Sequence, residues 1–327
     1  MRRLATTSLL ALFAVSVLAS SAGAKTTYRE PALTVNKQNL AASLHCPVPI
    51  IPGRGKQPMM LVTGTGYTGA AAYLIGKPGL LHGKRPICYV DFPYKTTGDM
   101  QIAAQYIVAG VREMAKQARQ PISIFGISQG AVLPRWALTY WPSLRKKVTD
   151  VIAIAGTQHG TTLISGCSVL EPCMPAVWQQ RAGSNLLNAL NAQRDESPNP
   201  TDWTTIRSAT DETVQPETGP NPTSSLKGAT NILIQDVCAG RVVRHIPSAL
   251  DSVTYAAFED AVAHKGPAKQ SRLPANVCDH LRAPGFPEAA GKRTESRAAA
   301  FTPDLQVDAP KVGAEPAVQR YAYRHVP

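Results

Sequence analysis

Three residues far apart in the chain have the types that can turn a serine into a nucleophile: Ser128, Asp211 and His245. A serine hydroxyl attacks a carbonyl poorly until an imidazole takes its proton. The imidazole in turn needs a carboxylate to fix its tautomer and stabilise its cation. Ser128 sits in Gly126-Ile127-Ser128-Gln129-Gly130, directly after the β-formers Ile122, Ile124 and Phe125 and directly before a helix-like apolar run. That context reads as strand, sharp turn and helix. A glycine on each side of the serine lets the backbone take a strained turn while strand and helix cross closely. The bland alternative is a serine in an ordinary Gly-rich loop between a strand and a helix.

The order Ser, acid, His separates these readings, because the acid and the base must come from different loops at the same sheet edge. Asp211 follows the predicted strand Trp203 to Ser208, and His245 lies in a loop after the predicted strand Asn231 to Val237. Asp202 precedes its strand and Asp236 lies inside one, so both would point from the wrong place. His159 comes before any acid in the required order. His264 and His280 lie further from the last strand, and His45, His82 and His325 lie in flanking segments. A lone surface histidine is otherwise only solvated.

The elements that must position these residues follow from the apolar runs. Residues 25–58, broken by Pro31, Pro47, Pro49, Pro52 and Pro58, read as a mostly irregular lead-in. Met59 to Val62 is a short buried strand running into the Gly/Thr loop Thr63 to Gly69, at the edge where open α/β sheets bind ligands. That loop fits neither phosphate-binding pattern. Ile87 to Phe92 is a second strand. Asp99 then caps a helix on which Ile102, Ala103, Tyr106, Ile107, Val111, Met114 and Ala115 recur at helical spacing. The Ser128 strand, the strand Val151 to Ala155 and the two later strands complete a mostly parallel central sheet with helices on both faces. Pro134 falls in the early turns of the helix after Ser128, where a lost donor is easiest to absorb. Residues 163–178 form a Pro- and Cys-containing excursion, a candidate lid or pocket wall, and Trp178 to Asn191 reads as helical.

Composition bounds the compartment. Arg2 and Arg3, the apolar run Leu9 to Leu18 and the small-x-small Ala22-Gly23-Ala24 read as a signal peptide over residues 1–24, cleaved after Ala24. A secreted or periplasmic protein is expected, with one catalytic domain over residues 25–282 and a Pro/Ala-rich tail, 283–327, packed on or trailing from it. The six cysteines can pair in an oxidising compartment, and their spacing resembles no metal site. Cys167 and Cys173 are close enough to staple the excursion locally. The formal net charge of +12 favours anionic surfaces such as lipid headgroups or envelope polymers. The basic residues are scattered, with Arg145-Lys146-Lys147 the only dense run, so nucleic acid is not an expected partner.

Several segments together resemble the Candida antarctica lipase B family of α/β-hydrolases. They are Leu61 to Gly66, Ser128-Gln129-Gly130, Trp136 to Thr139, Val177 to Gln180, Ser208 to Pro216, and Val237-Cys238 with His245, so the resemblance spans roughly residues 46–280. The Ser-Ala-Thr-Asp-Glu segment at 208–212 is the most specific. The resemblance implies an α/β-hydrolase fold, Ser128 as nucleophile, His245 as base and Asp211 as its orienting acid. It also implies an oxyanion hole from the backbone N–H groups of Thr65 and Gln129, with the Thr65 hydroxyl as a third donor. Gln180 would line the acyl side of the pocket, although its residue type equally suits an exposed helix face. Cys46 with Cys88 and Cys238 with Cys278 match the family, so with Cys167–Cys173 the fold would be disulfide-stapled. Cys167–Cys173 has no family counterpart, and the family's cysteine pair near its C-terminus is missing. Ile127 replaces a tryptophan beside the nucleophile and Thr157 replaces an acidic residue near the pocket.

The resulting expectation is an exported serine carboxylic-ester hydrolase acting on lipophilic esters through an acyl-enzyme. It needs no metal or organic cofactor, is expected as a monomer, and could associate with lipid interfaces. The competing expectation is a catalytically idle α/β-hydrolase that binds anionic envelope or lipid surfaces.

Overall fold

A computed structural model describes residues 28–286, 309–324 and 326. The expected signal peptide, 1–24, and His325 lie outside the described residues. Seven strands run in the spatial order β1-β3-β2-β4-β5-β6-β7. They are β1 (Leu44–Val48), β2 (Met59–Val62), β3 (Ile87–Val90), β4 (Ile122–Ile127), β5 (Val148–Ile154), β6 (Asp202–Arg207) and β7 (Thr230–Leu233). β1 pairs antiparallel with β3, and every other pairing is parallel. The helices are α1 (Lys37–Ala42), α2 (Gly69–His82), α3 (Met100–Ala118), α4 (Gln129–Tyr140), α5 (Pro175–Gln179), α6 (Asn185–Asn191), α7 (Ile234–Val237), α8 (His245–Ser248) and α9 (Ser252–Ala263).

The strands carry apolar residues on both faces because both faces are covered. β4 is buried at all its positions, as a central strand between two helical layers must be. The two-residue alternation sends Met60, Val62, Ile122 and Ile124 into one core with Ile107, Val111 and Trp136 of α3 and α4. It sends Met59, Leu61, Phe125 and Ile127 into a second core with Tyr73 of α2 and Val253 and Phe258 of α9. The mostly parallel sheet with helices on both faces is therefore present as the apolar runs require.

Several boundaries differ from the sequence reading, each for a physical reason. The lead-in is mostly irregular, as expected, but holds α1 and β1. β1 tolerates Pro47 because it is the sheet's edge strand and its register with β3 shifts between His45 and Val48, around the proline. α2 escapes sequence detection because it contains Pro78 and three glycines, yet Thr68 and Asp91 both cap it, accepting from Ala71 N (3.0 Å) and Gly69 N (2.6 Å). The helix expected over 178–191 is two helices, with Gly183 at φ 77° between them. β6 begins at Asp202, and β7 stops at Leu233, so Asp236 lies on one turn of helix rather than in a strand.

Three disulfides staple the domain: Cys46–Cys88 joins β1 to β3, Cys167–Cys173 closes the excursion, and Cys238–Cys278 ties the segment before His245 to the chain beyond α9. The described tail residues pack on the domain. Val312 exchanges backbone hydrogen bonds with Cys173, and Glu315 accepts from Asn185 N and Leu186 N (both 2.8 Å) at the start of α6. Tyr321 enters an aromatic cluster with Trp136, Tyr140 and Trp141.

Candidate active site

Ser128 occupies the turn between β4 and α4 with φ 56° and ψ −126°, a region that residues with a side chain rarely enter. The flanking glycines make the turn possible. A Cβ on Gly126 would overlap the carbonyl of Gly130, and one on Gly130 would overlap the carbonyl oxygens of Val62 and Thr63. Ser128 N is anchored on Ile154 O at 2.8 Å, which ties the turn to the end of β5.

Asp211 stands on the loop after β6 and His245 is the first residue of α8; both are buried, at 3% and 4% exposure. His245 Nδ1 donates to Asp211 Oδ2 at 2.7 Å. The other carboxylate oxygen accepts from Thr213 N (2.7 Å) and Val214 N (2.8 Å), so the acid has no freedom to turn away. With its proton on Nδ1, the ring presents Nε2 as an acceptor. The two loops are joined by further bonds. Ser208 Oγ and Thr210 Oγ1 donate to Val243 O (2.6 and 3.0 Å), and Val243 N donates to Thr210 Oγ1 (2.8 Å). Glu212 accepts from His245 N (2.9 Å) and pairs with Arg244 (3.1 Å). Behind them Arg241 pairs with buried Asp251 (3.1 Å), which caps α9. Burial pushes the Asp251 carboxyl up, opposed by Val253 N and Arg241.

The loop after β2 meets the serine: an added Cβ on Gly64 would lie 3.0 Å from Ser128 Cβ. Thr96 Oγ1 donates to Gly64 O (2.6 Å) and Gly66 N donates to Lys95 O (2.8 Å), which fix that loop on both sides of Thr65. Thr65 Oγ1 donates to Gln129 Oε1 (2.6 Å) and accepts from Gln180 Nε2 (2.8 Å), while Thr157 Oγ1 donates to Gln180 Oε1 (3.1 Å). Gln180 is thus buried in a polar cluster and does not lie on an exposed helix face. Ile127 lies on a different side. With Leu61, Gly64, Tyr67, Ile246 and Leu250 it lines an apolar cavity of about 50 Å³.

No family model matches the chain. It is 32% identical to lipase B of Pseudozyma antarctica over 305 residues, which is 90% of this chain and 86% of that protein. The chain belongs to the lipase B family of α/β-hydrolases. It is accordingly a hydrolase. The crystal structure of Aspergillus fumigatus lipase B superposes with a TM-score of 0.83 at 28% identity, covering 90% of this chain and 73% of that one. Bacillus licheniformis lipase BlEst2 in its propeptide form shares the fold alone, with a TM-score of 0.54 and 17% identity over 69% of this chain and 54% of its own.

Within this lipase B family member, the structure brings Ser128, the Thr65 loop, Gln129, Thr157 and Gln180 to one sheet edge, and pairs Asp211 with His245. Three of the other histidines face different acids. His159 faces Glu196 (3.6 Å), His264 faces Asp260 (3.1 Å) and His45 faces Asp91 (3.5 Å). Among the described residues no group of three His, Cys, Asp or Glu side chains could hold a metal ion. The sequence reading missed Glu212, Arg244 and Arg241, which hold the His245 segment. Only the Ser-Ala-Thr-Asp-Glu segment carries a signal for any of them, since it contains Glu212.

Proposed function

We propose that this chain is an exported serine carboxylic-ester hydrolase, of the lipase and esterase class, that works through an acyl-enzyme. Ser128 Oγ attacks the ester carbonyl as His245 Nε2 takes its proton. The negative charge that develops on the carbonyl oxygen is met by the backbone N–H groups of Thr65 and Gln129. A positioned donor of this kind is typically worth about 2.7–4 kcal/mol of barrier. His245 then delivers the proton to the departing alcohol, and water, activated by the same imidazole, releases the acid.

The single observation that carries this reading is the 2.7 Å bond between buried His245 Nδ1 and Asp211 Oδ2. It holds the imidazole in the one tautomer that can accept a serine proton. The apolar side chains around Ile127 favour a lipophilic over a charged moiety at that position. The three disulfides support export to an oxidising compartment. No helix among the described residues is long and apolar enough to cross a membrane.

Ser128→Ala tests the reading. Hydrolysis of p-nitrophenyl butyrate by the purified protein should fall by about 10⁴-fold or more while the melting temperature holds. Turnover within tenfold of the unsubstituted protein would remove Ser128 from the chemistry.

A further inference from the structure

We propose that Gln180 is a positioning residue of the oxyanion site, holding the Thr65 hydroxyl oxygen in place and so restricting where the hydroxyl proton can point. This rests on the reading of Ser128 as the nucleophile.

Gln180 follows α5 at its C-terminal end and is 4% exposed. Its amide orientation is determined by its neighbours. Nε2 lies 3.1 Å from Ala176 O, a carbonyl that can only accept, so the nitrogen must be on that side. The same nitrogen donates to Thr65 Oγ1 at 2.8 Å, and Oε1 receives the Thr157 hydroxyl at 3.1 Å. Because Thr65 Oγ1 already accepts from Gln180, its own O–H must go elsewhere, and it goes to Gln129 Oε1 at 2.6 Å. The donors therefore run in one direction, from Thr157 to Gln180 to Thr65 to Gln129. Every member is neutral. The run ends at Gln129 Nε2, which is buried and has no hydrogen-bond partner.

The consequence concerns the third oxyanion donor. In the free enzyme the Thr65 proton is engaged by the Gln129 side chain. When charge develops on the substrate oxygen, the O–H can swing from a neutral amide oxygen to an anionic one, a stronger acceptor. The bond from Gln180 survives that swing, since it uses a lone pair of Oγ1 and not the proton. Gln180 thus keeps the oxygen fixed while the proton changes partner, and the hydroxyl acts only when charge is present. Such an interaction lowers the barrier without tightening substrate binding, so its loss should appear in kcat.

A double-mutant cycle on hydrolysis of a p-nitrophenyl ester tests this, with Thr65→Val, Gln180→Leu and the double variant, and Ser128→Ala as control. Thr65→Val keeps the backbone N–H and should lower kcat by roughly 10–100-fold. Gln180→Leu should lower kcat by about 5–10-fold with KM nearly unchanged. In the Thr65→Val background Gln180→Leu should cost no more than about twofold further, because the group it acts through is gone. Equal factors in both backgrounds, or an effect confined to KM, would overturn the role of Gln180. Should Gln180→Leu melt early, Gln180→Glu gives the same decision. An ionised carboxylate would accept the Thr65 proton, so its kcat should fall as that carboxyl loses its proton with rising pH, relative to Gln180, and that fall should vanish with Thr65→Val. A fall that persists with Thr65→Val overturns the proposal. Turnover surviving in Ser128→Ala sinks the reading of the site itself, whereas an additive cycle with an inactive control overturns only Gln180.

Discussion

At the scale of single residues, the site depends on atoms with one permitted partner each. Asp211 shows this most clearly: one oxygen is committed to Thr213 N and Val214 N, the other to His245 Nδ1. In Asp211→Asn the amide oxygen would have to stay with the two backbone donors, which places the NH₂ against Nδ1. His245 would then carry its proton on Nε2 and could not accept one from Ser128. The expected result is a loss of about 10⁴-fold in kcat with little change in melting temperature. A loss under tenfold would show that the Asp211–His245 bond is structural only. Ser128, Asp211 and His245 were legible in the sequence because a glycine-flanked turn and chain order both constrain them. Glu212 and Gln180 took their roles from contacts across 33 and 115 residues, which no local pattern records.

At the scale of elements, the loop between β6 and β7 carries Asp211 at its start and a second acid, Glu217, fully buried further along. Ser224 Oγ donates to Glu217, and Arg207 Nε donates to the Glu217 carbonyl (3.1 Å). Burial, opposed by Ser224 and reinforced by the charge of Asp211, pushes the Glu217 carboxyl up from 4.5 to about 8. The folded chain therefore holds this proton between those pH values while the unfolded chain has released it. Its contribution to stability falls as pH rises through that window, by about 1.4 kcal/mol per unit of displacement. Glu217→Gln keeps the acceptor for Ser224 without an ionisable group. Its melting temperature should match the unsubstituted protein near pH 4.5 and exceed it near pH 9, by roughly 2–4 °C for each kcal/mol relieved. Parallel melting curves across that range would show that Glu217 is not titrating inside the fold. The strands at this scale were readable from runs of Ile, Val and Phe. α2 and β1 were not: Pro78 and three glycines interrupt the helical pattern of α2, and Pro47 is tolerated only because β1 lies at the sheet's edge, which its own segment does not record.

At the scale of the whole molecule, the mostly parallel sheet brings its loops to one edge, and the described tail residues pack against elements beside that edge. The described tail residues bind both the excursion at Cys173 and the start of α6, and Tyr321 reaches Trp136 on the helix that Ser128 begins, across 185 residues. A Pro/Ala-rich composition announces a tail but says nothing of where its few aromatic residues will anchor. Charge was similarly uninformative about function: the +12 balance fits both a hydrolase and an idle surface binder. Covalent labelling of the intact, folded protein separates the two most directly. Incubation with a p-nitrophenyl alkylphosphonate should add one phosphonyl group per molecule, on the peptide containing Ser128, and should add none to Ser128→Ala. A folded protein that takes up no label, or takes it up equally in Ser128→Ala, would contradict the assignment of Ser128 as an activated nucleophile.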